Sequence, residues 1–276
     1  MTGAFPASRG DKRRGVRRLA GRGGVTHISR MKSSTKIIAH RGNACGAPEN
    51  TLEAFRQAVE LGADGVELDV QLSSDGVPVV IHDETLERTT DGAGAVAEHS
   101  AAEITALSAG LWFDPPFPAA RPPTLDAVLE VLSPAGLEIH LELKTDIHPY
   151  PGLAEAVAAL VGRRALGDRV MISSFNHHTL KEVRRCAPEL PLAALLSGRM
   201  IAPWDYAVRE GFQALHPEYR SVDAELAENC RERGLALRAY TVDDAEAARR
   251  LMNLGLDGIM TNVPGRMLSL QQSLSL

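Results

Sequence analysis

Residues 36–72 read KIIAHRGNACGAPENTLEAFRQAVELGADGVELDVQL, and this stretch decides the fold. A short apolar run at 36–40 is followed by a segment of helical period and then by a strand pattern at 65–72. Strand, helix and strand in this order are typical of two parallel strands joined by a helix. The stretch therefore predicts an α/β protein built around a parallel sheet.

The same alternation continues along the chain. Helix candidates separate six further strand candidates, which are EIHLELK (138–144), RVMISSF (169–175), PLAALLS (191–197), QALHP (213–217), LALRAYTV (235–242) and GIMTN (258–262). Eight such repeats in about 240 residues favour a TIM (β/α)8 barrel over an open doubly wound sheet.

One segment interrupts this rhythm after the second strand region. Residues 83–123 follow the strand-like run VPVVIHD (77–83), and they are rich in glycine, proline and turn residues. A loop this long inside a compact domain is usually functional, and barrel enzymes keep their chemistry on the loops that follow strands. We expect this insertion to cap or rim the active site.

The overall composition is that of a globular protein. Hydrophobic residues make up 44% and charged residues 24%, which excludes disordered, collagen-like and disulfide-scaffold classes. No apolar run approaches the roughly 20 residues of a membrane-spanning helix, so no transmembrane segment is predicted. Aromatic residues are only 4%, which argues against nucleic acid as a partner. Three scattered cysteines without a CxxC pair predict a cytoplasmic protein.

The first residues differ from the rest in charge. Residues 1–36 hold ten of the 30 Lys and Arg but one acid, which gives them a net charge of +9 and leaves −14 for the remainder. We predict a disordered basic tail at 1–35 and a barrel at 36–276. The paired arginines lack the apolar segment of an export signal. A transit peptide, a nucleic-acid-binding arm and a true start at Met31 remain alternatives for the tail.

Two strands carry acids on one face. Strand alternation puts residues i and i+2 on the same side, so Glu67 and Asp69 point together into the predicted barrel. Glu142 and Lys144 repeat this arrangement on another strand. Three carboxylates without a thiolate form an oxygen-rich site suited to Mg²⁺, Ca²⁺ or Mn²⁺. The spacing equally allows a structural network of ion pairs with Lys or Arg.

Two histidines end apolar runs, His40 in IIAHRG and His82 in VVIHD. Two imidazoles beside carboxylates can divide acid and base roles across a phosphate or an ester. Arg41 directly follows the first histidine and can fork onto phosphate oxygens. Asn50 with Thr51 opens a helix, and we interpret this pair as a helix cap.

Several blocks occur in a fixed order over residues 36–266: AHRG, PENT, VELDV, HDETLERTT, LSAGLWF, PPTLDAVLE, LELK, SSF, LALRAYTVDD and GIMTNVP. In these blocks the sequence resembles the glycerophosphodiester phosphodiesterase family. The resemblance implies a TIM barrel with a small insertion and one divalent cation. It also implies hydrolysis of a small-molecule glycerophosphodiester to sn-glycerol 3-phosphate and an alcohol.

The resemblance further implies roles for single residues. The catalytic group comprises His40, His82 and Lys144. The metal ligands are Glu67, Asp69 and Glu142. The substrate contacts are Arg41, Glu49, Phe175 and Tyr240. In this assignment Lys144 neutralises charge on the phosphate, and Glu49 either supports Arg41 or approaches the metal.

The mechanism implied for the family uses the substrate's own glycerol 2-hydroxyl. This hydroxyl attacks phosphorus and expels the alcohol, and water then opens the cyclic phosphate. We expect His40 to act first as base and His82 as acid, with the roles exchanged in the second step. Tyr240 replaces a common tryptophan and Asn262 a frequent aspartate, which bears on substrate preference more than on activity.

Two other functions remain open from the sequence. One is a lysophospholipase D-type activity on lysophospholipids, which needs an apolar groove for an acyl chain. The other is a non-catalytic anion-binding barrel. The sequence leaves the choice of metal, the leaving alcohol and the oligomeric state open.

Overall fold

A computed structural model describes residues 1–3 and 35–274. Apart from residues 1–3 and Thr35, the predicted basic tail lies outside the described residues. All the strands and helices named below belong to one compact unit. Within the described part of the chain, no helix is long and apolar enough to cross a membrane.

Eight parallel strands close into a barrel, and a ninth lies beside it. The strands are β1 Lys36–His40, β2 Gly65–Leu72, β3 Pro78–Val80, β4 Glu138–Leu143, β5 Val170–Ser174, β6 Leu192–Leu196, β7 Ala214–Pro217, β8 Ala236–Ala239 and β9 Gly258–Thr261. Strand β1 pairs with both β2 and β9, which closes the ring, and β4 follows β2 around it. The predicted TIM barrel is confirmed, with all eight predicted barrel strands in place.

Helices surround the barrel and connect its strands. They are α1 Leu52–Glu60, α2 Ala101–Ala106, α3 Leu125–Leu132, α4 Leu153–Arg163, α5 His177–Cys186, α6 Pro203–Glu210, α7 Ala224–Glu232, α8 Ala245–Leu254 and α9 Pro264–Leu274. Polar side chains begin several of them, because a side-chain oxygen can accept from an amide that the first helical turn leaves unpaired. Thr51 caps α1 in this way and Asp244 caps α8.

The two faces of a barrel strand bury different chemistry. On β2 the side chains of Val66, Leu68 and Val70 belong to the main apolar core between barrel and helices. The alternate residues Glu67 and Asp69 are equally buried but belong to the barrel interior. This division is what a period of two requires when both faces of a strand are covered.

The insertion begins beside the barrel rather than within it. Strand β3 runs antiparallel to β2, so the run VPVVIHD (77–83), which contains His82, is not a barrel strand. The insertion packs against β3 in a small second apolar core, whose buried members are Val79, Ile81, Leu86, Val96, Ala101 and Ile104. This core gives residues 83–123 a packed base next to the carboxyl end of β2.

Charged side chains and imidazoles also lie in the lower barrel interior, toward the amino ends of the strands. They are away from the acid triad. Glu138 contacts Lys36 and lies 3.5 Å from both Arg238 and His140. The ring of His140 is 5.6 Å from that of His216, and among the described residues neither ring has a hydrogen-bond partner. Burial, with the charges of His140 and Arg238, holds the pKa of His216 well below its usual range.

This burial predicts a pH-dependent stability. The unfolded chain binds a proton at His216 below about pH 6.5 and the folded chain does not, so the free energy of unfolding falls as pH falls. Replacing His216 with Asn removes this contribution. Between pH 6.5 and pH 5 we expect wild type to lose about 2 kcal/mol more than H216N.

Urea unfolding at several pH values measures this difference. His178 is exposed, and H178N is the matched control, which should follow the wild-type pH dependence. Parallel curves for wild type and H216N would show that His216 is not buried neutral in the folded protein.

Candidate active site

Three carboxylates meet at the carboxyl end of two neighbouring strands. The β2–β4 register places Asp69 opposite Glu142, and Glu67 lies one inward position earlier on β2. One oxygen from each of the three carboxylates lies within 4.8 Å of the others. All three side chains are buried. Buried carboxylates this close repel one another unless a cation or a proton separates them.

The pKa values of the triad reflect this repulsion. Burial, together with the charges of Asp69 and Glu142, raises the pKa of Glu67 well above its usual range. Burial and the charge of Asp69 raise the pKa of Glu142 to about 7. Burial opposes ionisation of Asp69 as well, but the charges of Arg41, His82, Lys144 and His40 together outweigh it and lower the pKa of Asp69. Without a bound cation the triad therefore retains protons near neutral pH.

The donor set fits a hard divalent cation. Glu67 Oε1 and Asp69 Oδ1 are buried and have no hydrogen-bond partner among the described residues. A buried oxygen left without a partner is costly, and Mg²⁺, Ca²⁺ and Mn²⁺ prefer carboxylate oxygens. The family resemblance implied these three residues as ligands, and the structure brings them together.

Arg41 reaches the triad through an unusual backbone conformation. Its φ is +56°, in the left-handed region. The amide nitrogen donates to Glu67 Oε2 at 3.1 Å, and the guanidinium lies 3.3 Å from Asp69 and 2.7 Å from Glu49. Gly42 has a φ of +83°, and a Cβ there would lie 2.7 Å from Ala54. Strained backbone of this kind is often retained at functional sites, and here it aims a cation at two buried acids.

His40 is held in one tautomer by an amide. Asp243 can only accept hydrogen bonds, and it accepts from Asn262 Nδ2 at 2.7 Å, which turns Asn262 Oδ1 toward His40. That oxygen lies 2.8 Å from His40 Nδ1, so Nδ1 carries the proton and Nε2 keeps its lone pair. Burial and the charge of Arg41 lower the pKa of His40 to about 4. His40 is thus a neutral imidazole whose Nε2 lies 3.8 Å from Glu67.

His82 has a different partner. Its Nδ1 lies 2.6 Å from Asp83 Oδ1, and its Nε2 is 3.5 Å from Lys144 Nζ. A hydrogen bond from Arg88 outweighs burial and, with the bond from His82, lowers the pKa of Asp83 to about 2. Lys144 donates to Glu142 at 2.8 Å. One imidazole therefore faces a neutral amide and the other an ionised carboxylate.

An aromatic pair borders the lysine. The Phe175 and Tyr240 rings meet edge to face at 5.8 Å, and Lys144 Nζ lies 5.9 Å from the Phe175 ring centre. The Tyr240 hydroxyl, a group that tryptophan does not have, donates to Leu196 O at 3.0 Å and so has a hydrogen-bond partner. The structure thus brings the predicted site residues together around the carboxylate triad.

Sequence reasoning missed several supporting residues. Of the pair Asn50 and Thr51 predicted as a helix cap, Thr51 caps α1 and Asn50 does not. The Asn50 amide instead donates to Asp69 Oδ2 at 2.8 Å, from a backbone φ of +57°. The change to Asn262 is expected to bear on substrate preference more than on activity, but Asn262 contacts His40 directly. Arg88 lies in the HDETLERTT block but receives no role from the sequence, because an arginine in a polar loop is ordinarily a surface residue.

Comparison with known proteins agrees with this geometry. The profile of the glycerophosphoryl diester phosphodiesterase family matches residues 40–266. A glycerophosphodiester phosphodiesterase of Caldanaerobacter subterraneus subsp. tengcongensis is 42% identical over 236 residues, which cover 86% of this chain and 97% of that protein. A β/α barrel with polar residues at the carboxyl ends of its strands is typical of enzymes, but enzymes with this fold catalyse many different reactions. The matches decide among them, and the chain belongs to the glycerophosphoryl diester phosphodiesterase family, whose members are hydrolases.

Solved structures agree as well. An Oleispira antarctica phosphodiesterase in complex with the product sn-glycerol-3-phosphate superposes with a TM-score of 0.82 at 31% identity, over 87% of this chain and 97% of that one. A glycerophosphodiester phosphodiesterase from Agrobacterium tumefaciens gives a TM-score of 0.75 at 34% identity, over 85% and 99%. The barrel described above is therefore shared with these relatives along most of its length.

The triad predicts a stability gain when one charge is removed. In chelator-treated protein we expect Glu67→Gln to raise the melting temperature, by roughly 2–4 °C for each kcal/mol of relieved repulsion. The pKa of Glu67 is raised in the folded state, so the cost of its charge grows with pH. The gain should therefore be larger at pH 8 than at pH 5.

Calorimetry with and without Mg²⁺ or Mn²⁺ checks this prediction. A bound ion stabilises the folded state, so added metal should raise the melting temperature of wild type more than that of E67Q. Glu182 is exposed on α5, and E182Q is the matched control. A lower melting temperature for E67Q in chelator at pH 8 would contradict the interpretation.

Asp243 predicts a second, catalytic effect. Its Oδ1 accepts from Thr261 Oγ1 at 3.0 Å and from the backbone N–H of Asn262 at 2.8 Å. In Asp243→Asn these donors hold the new carbonyl oxygen, so the new NH₂ group faces the Asn262 side chain. Asn262 must then flip and present its own NH₂ group to His40, which moves the ring proton to Nε2.

We expect this wrong tautomer to lower kcat about 10²- to 10⁴-fold with little change in melting temperature. The neighbouring Asp244 only caps α8, and asparagine caps equally well, so D244N is the control. Steady-state rates decide the matter. Full activity in D243N would mean that the amide relay does not set the His40 tautomer.

Proposed function

We propose that this protein hydrolyses glycerophosphodiesters to sn-glycerol 3-phosphate and an alcohol, with a divalent cation held by Glu67, Asp69 and Glu142. One observation carries the proposal: two imidazoles in different electrostatic settings border a single buried carboxylate triad. Such a pair can supply a base and an acid in one reaction. The Oleispira relative with bound sn-glycerol-3-phosphate supports this product.

The side chains of the site divide the chemistry among them. When bound, the divalent ion offsets negative charge on the phosphate oxygens. Arg41 contacts Asp69 and Lys144 contacts Glu142, so the two cations lie at different carboxylates of the triad. Both can donate hydrogen bonds to the phosphate oxygens. Phe175 and Tyr240 supply an apolar surface for the carbon atoms of the substrate.

Protons move in two balanced steps. In the first, His40 Nε2 takes the proton of the glycerol 2-hydroxyl as its oxygen bonds to phosphorus, and His82 gives a proton to the departing alcohol oxygen. In the second, water attacks the cyclic phosphate and its proton goes to His82. His40 then returns its proton to the 2-oxygen. Both imidazoles end in their starting states, as a catalytic cycle requires.

Release of sn-glycerol 3-phosphate tests the function directly. Full-length protein is assayed with glycerophosphocholine and glycerophosphoethanolamine, first with chelator and then with Mg²⁺, Ca²⁺ or Mn²⁺ restored. We expect turnover to vanish with chelator, to return with a metal and to be absent in E67Q. No turnover with any of the three metals, from folded protein, would refute the proposal.

Single histidine variants test the two proton-transfer roles. Removal of a general acid or base typically costs about 10²- to 10⁴-fold, and we expect losses of this size in kcat for His40→Ala and for His82→Ala. The exposed His178 provides the control variant H178A. Near wild-type rates in either site variant would remove that residue from the mechanism.

The low pKa of His40 adds a pH dependence. His40 must be unprotonated to act as base, and its pKa of about 4 lies below the ordinary value for histidine. The acidic limb of kcat/KM should therefore fall near pH 4 rather than near pH 6.5. A limb near pH 6.5 would show that the base is not His40 in the environment described.

Lysophosphatidylcholine in the same assay tests the lysophospholipase D-type alternative. The described insertion offers a short apolar core that is already filled by its own side chains, rather than a long open groove. We expect the water-soluble diesters to be the better substrates.

A further inference from the structure

The insertion sends one arginine across the mouth of the barrel. Arg88 Nε and Nη2 lie 2.5 and 3.0 Å from the two oxygens of Asp83. Its Nη1 and Nη2 lie 3.0 and 2.8 Å from the two oxygens of Glu49. One guanidinium thus bridges two carboxylates through four directed hydrogen bonds, an arrangement that only the planar fork of arginine allows.

Each of these carboxylates contacts a different functional side chain. Glu49 accepts from the Arg41 guanidinium at 2.7 Å, and Asp83 pairs with the His82 ring at 2.6 Å. Arg41 belongs to the loop after β1, whereas His82 precedes the insertion. Among the contacts of the described residues, Arg88 therefore links the phosphate-binding side of the site to the imidazole of the proposed acid.

The backbone that carries Arg88 is anchored on both sides. Leu86 is fully buried in the small apolar core of the insertion. The carbonyl of Thr89 accepts from the Trp112 indole at 2.9 Å. The arginine is thus presented from a packed support, which lowers the entropy cost of holding a long side chain in one place.

A simple surface salt bridge does not account for this arrangement. Exposed ion pairs typically contribute little to stability, and the Arg88 side chain is 45% exposed. Its partners are not surface residues, because Glu49 is only 14% exposed and Asp83 27%. Neither carboxylate is among the triad residues, so the bridge acts on Arg41 and His82 rather than on the metal ligands.

We propose that Arg88 is a positioning residue for the reaction, which holds Arg41 through Glu49 and His82 through Asp83 so that both meet one substrate. This rests on the proposed function. A displacement of about 1 Å in a positioned group can cost about 100-fold in rate. Without Arg88 the two side chains still reach their carboxylates, but among the described residues the bridge between Glu49 and Asp83 is lost.

Rates of the variants test the proposal. We expect Arg88→Met to lower kcat on glycerophosphocholine about 10- to 100-fold while the melting temperature changes little. R88K should stay impaired, since an ammonium cannot fork onto two carboxylates. Arg121 lies in the same insertion and donates only to the carbonyls of Pro118 and Ala120, so R121M is the matched control with wild-type rates.

Combined variants separate positioning from general structural support. If Arg88 acts through the two carboxylates, adding R88M to E49Q/D83N produces no further loss of kcat. A purely structural contribution would instead add its full effect in that background. Additive losses, or an R88M rate within twofold of wild type, would overturn the proposal.

A spectroscopic measurement decides the question independently of turnover. Two-bond ¹H–¹⁵N spectra of the histidine rings report whether each ring nitrogen of His82 carries a proton. We expect a proton fixed on Nδ1 beside Asp83 in wild type and R121M, and a weakened Nδ1–H signal in R88M and in D83N at the same pH. An unchanged His82 signal in R88M would overturn the Asp83 side of the proposal. If wild type proved inactive on every diester, the proposed function would fail while this result still tested Arg88.

Discussion

Repulsion among three buried carboxylates is the constraint on which the rest of this structure depends. Two neighbouring strands bring Glu67, Asp69 and Glu142 together by register, and burial denies them the water that would screen their charges. The cationic side chains around the triad offset this negative charge. Arg41 takes up a left-handed backbone conformation to reach two of the acids, and Lys144 neutralises the third. The remaining unpartnered oxygens suit a divalent cation.

The two imidazoles beside the triad, His40 and His82, lie in different environments. Asn262, an amide, contacts His40, and burial beside Arg41 keeps this ring neutral. Asp83, an ionised carboxylate, contacts His82. The two imidazoles therefore lie in different electrostatic settings because their hydrogen-bond partners differ, and differences of this kind are how enzymes assign acid and base roles at one pH.

The two ends of the barrel interior use charge differently. At the carboxyl ends of the strands, the three carboxylates outnumber the two cations, Arg41 and Lys144, that contact them. The excess negative charge suits a bound cation. At the lower end, Glu138 is surrounded by Lys36, His140 and Arg238, so it belongs to an ion network that fills the barrel. Both kinds of site occur along β4, since Glu138 and Glu142 lie on the same face. Spacing alone therefore could not distinguish a metal site from a structural ion network.

The sequence by itself determined the eight-stranded barrel, because apolar strand runs alternate with helical periods and strand alternation assigns each residue a face. It also determined which carboxylates point inward. Only the tertiary structure decided what those groups contact. Closure of the barrel brings Asn262 to His40 across 222 positions, and the packed insertion brings Arg88 to Glu49 across 39. Such contacts depend on the path of the whole chain, and no local pattern of residues encodes them.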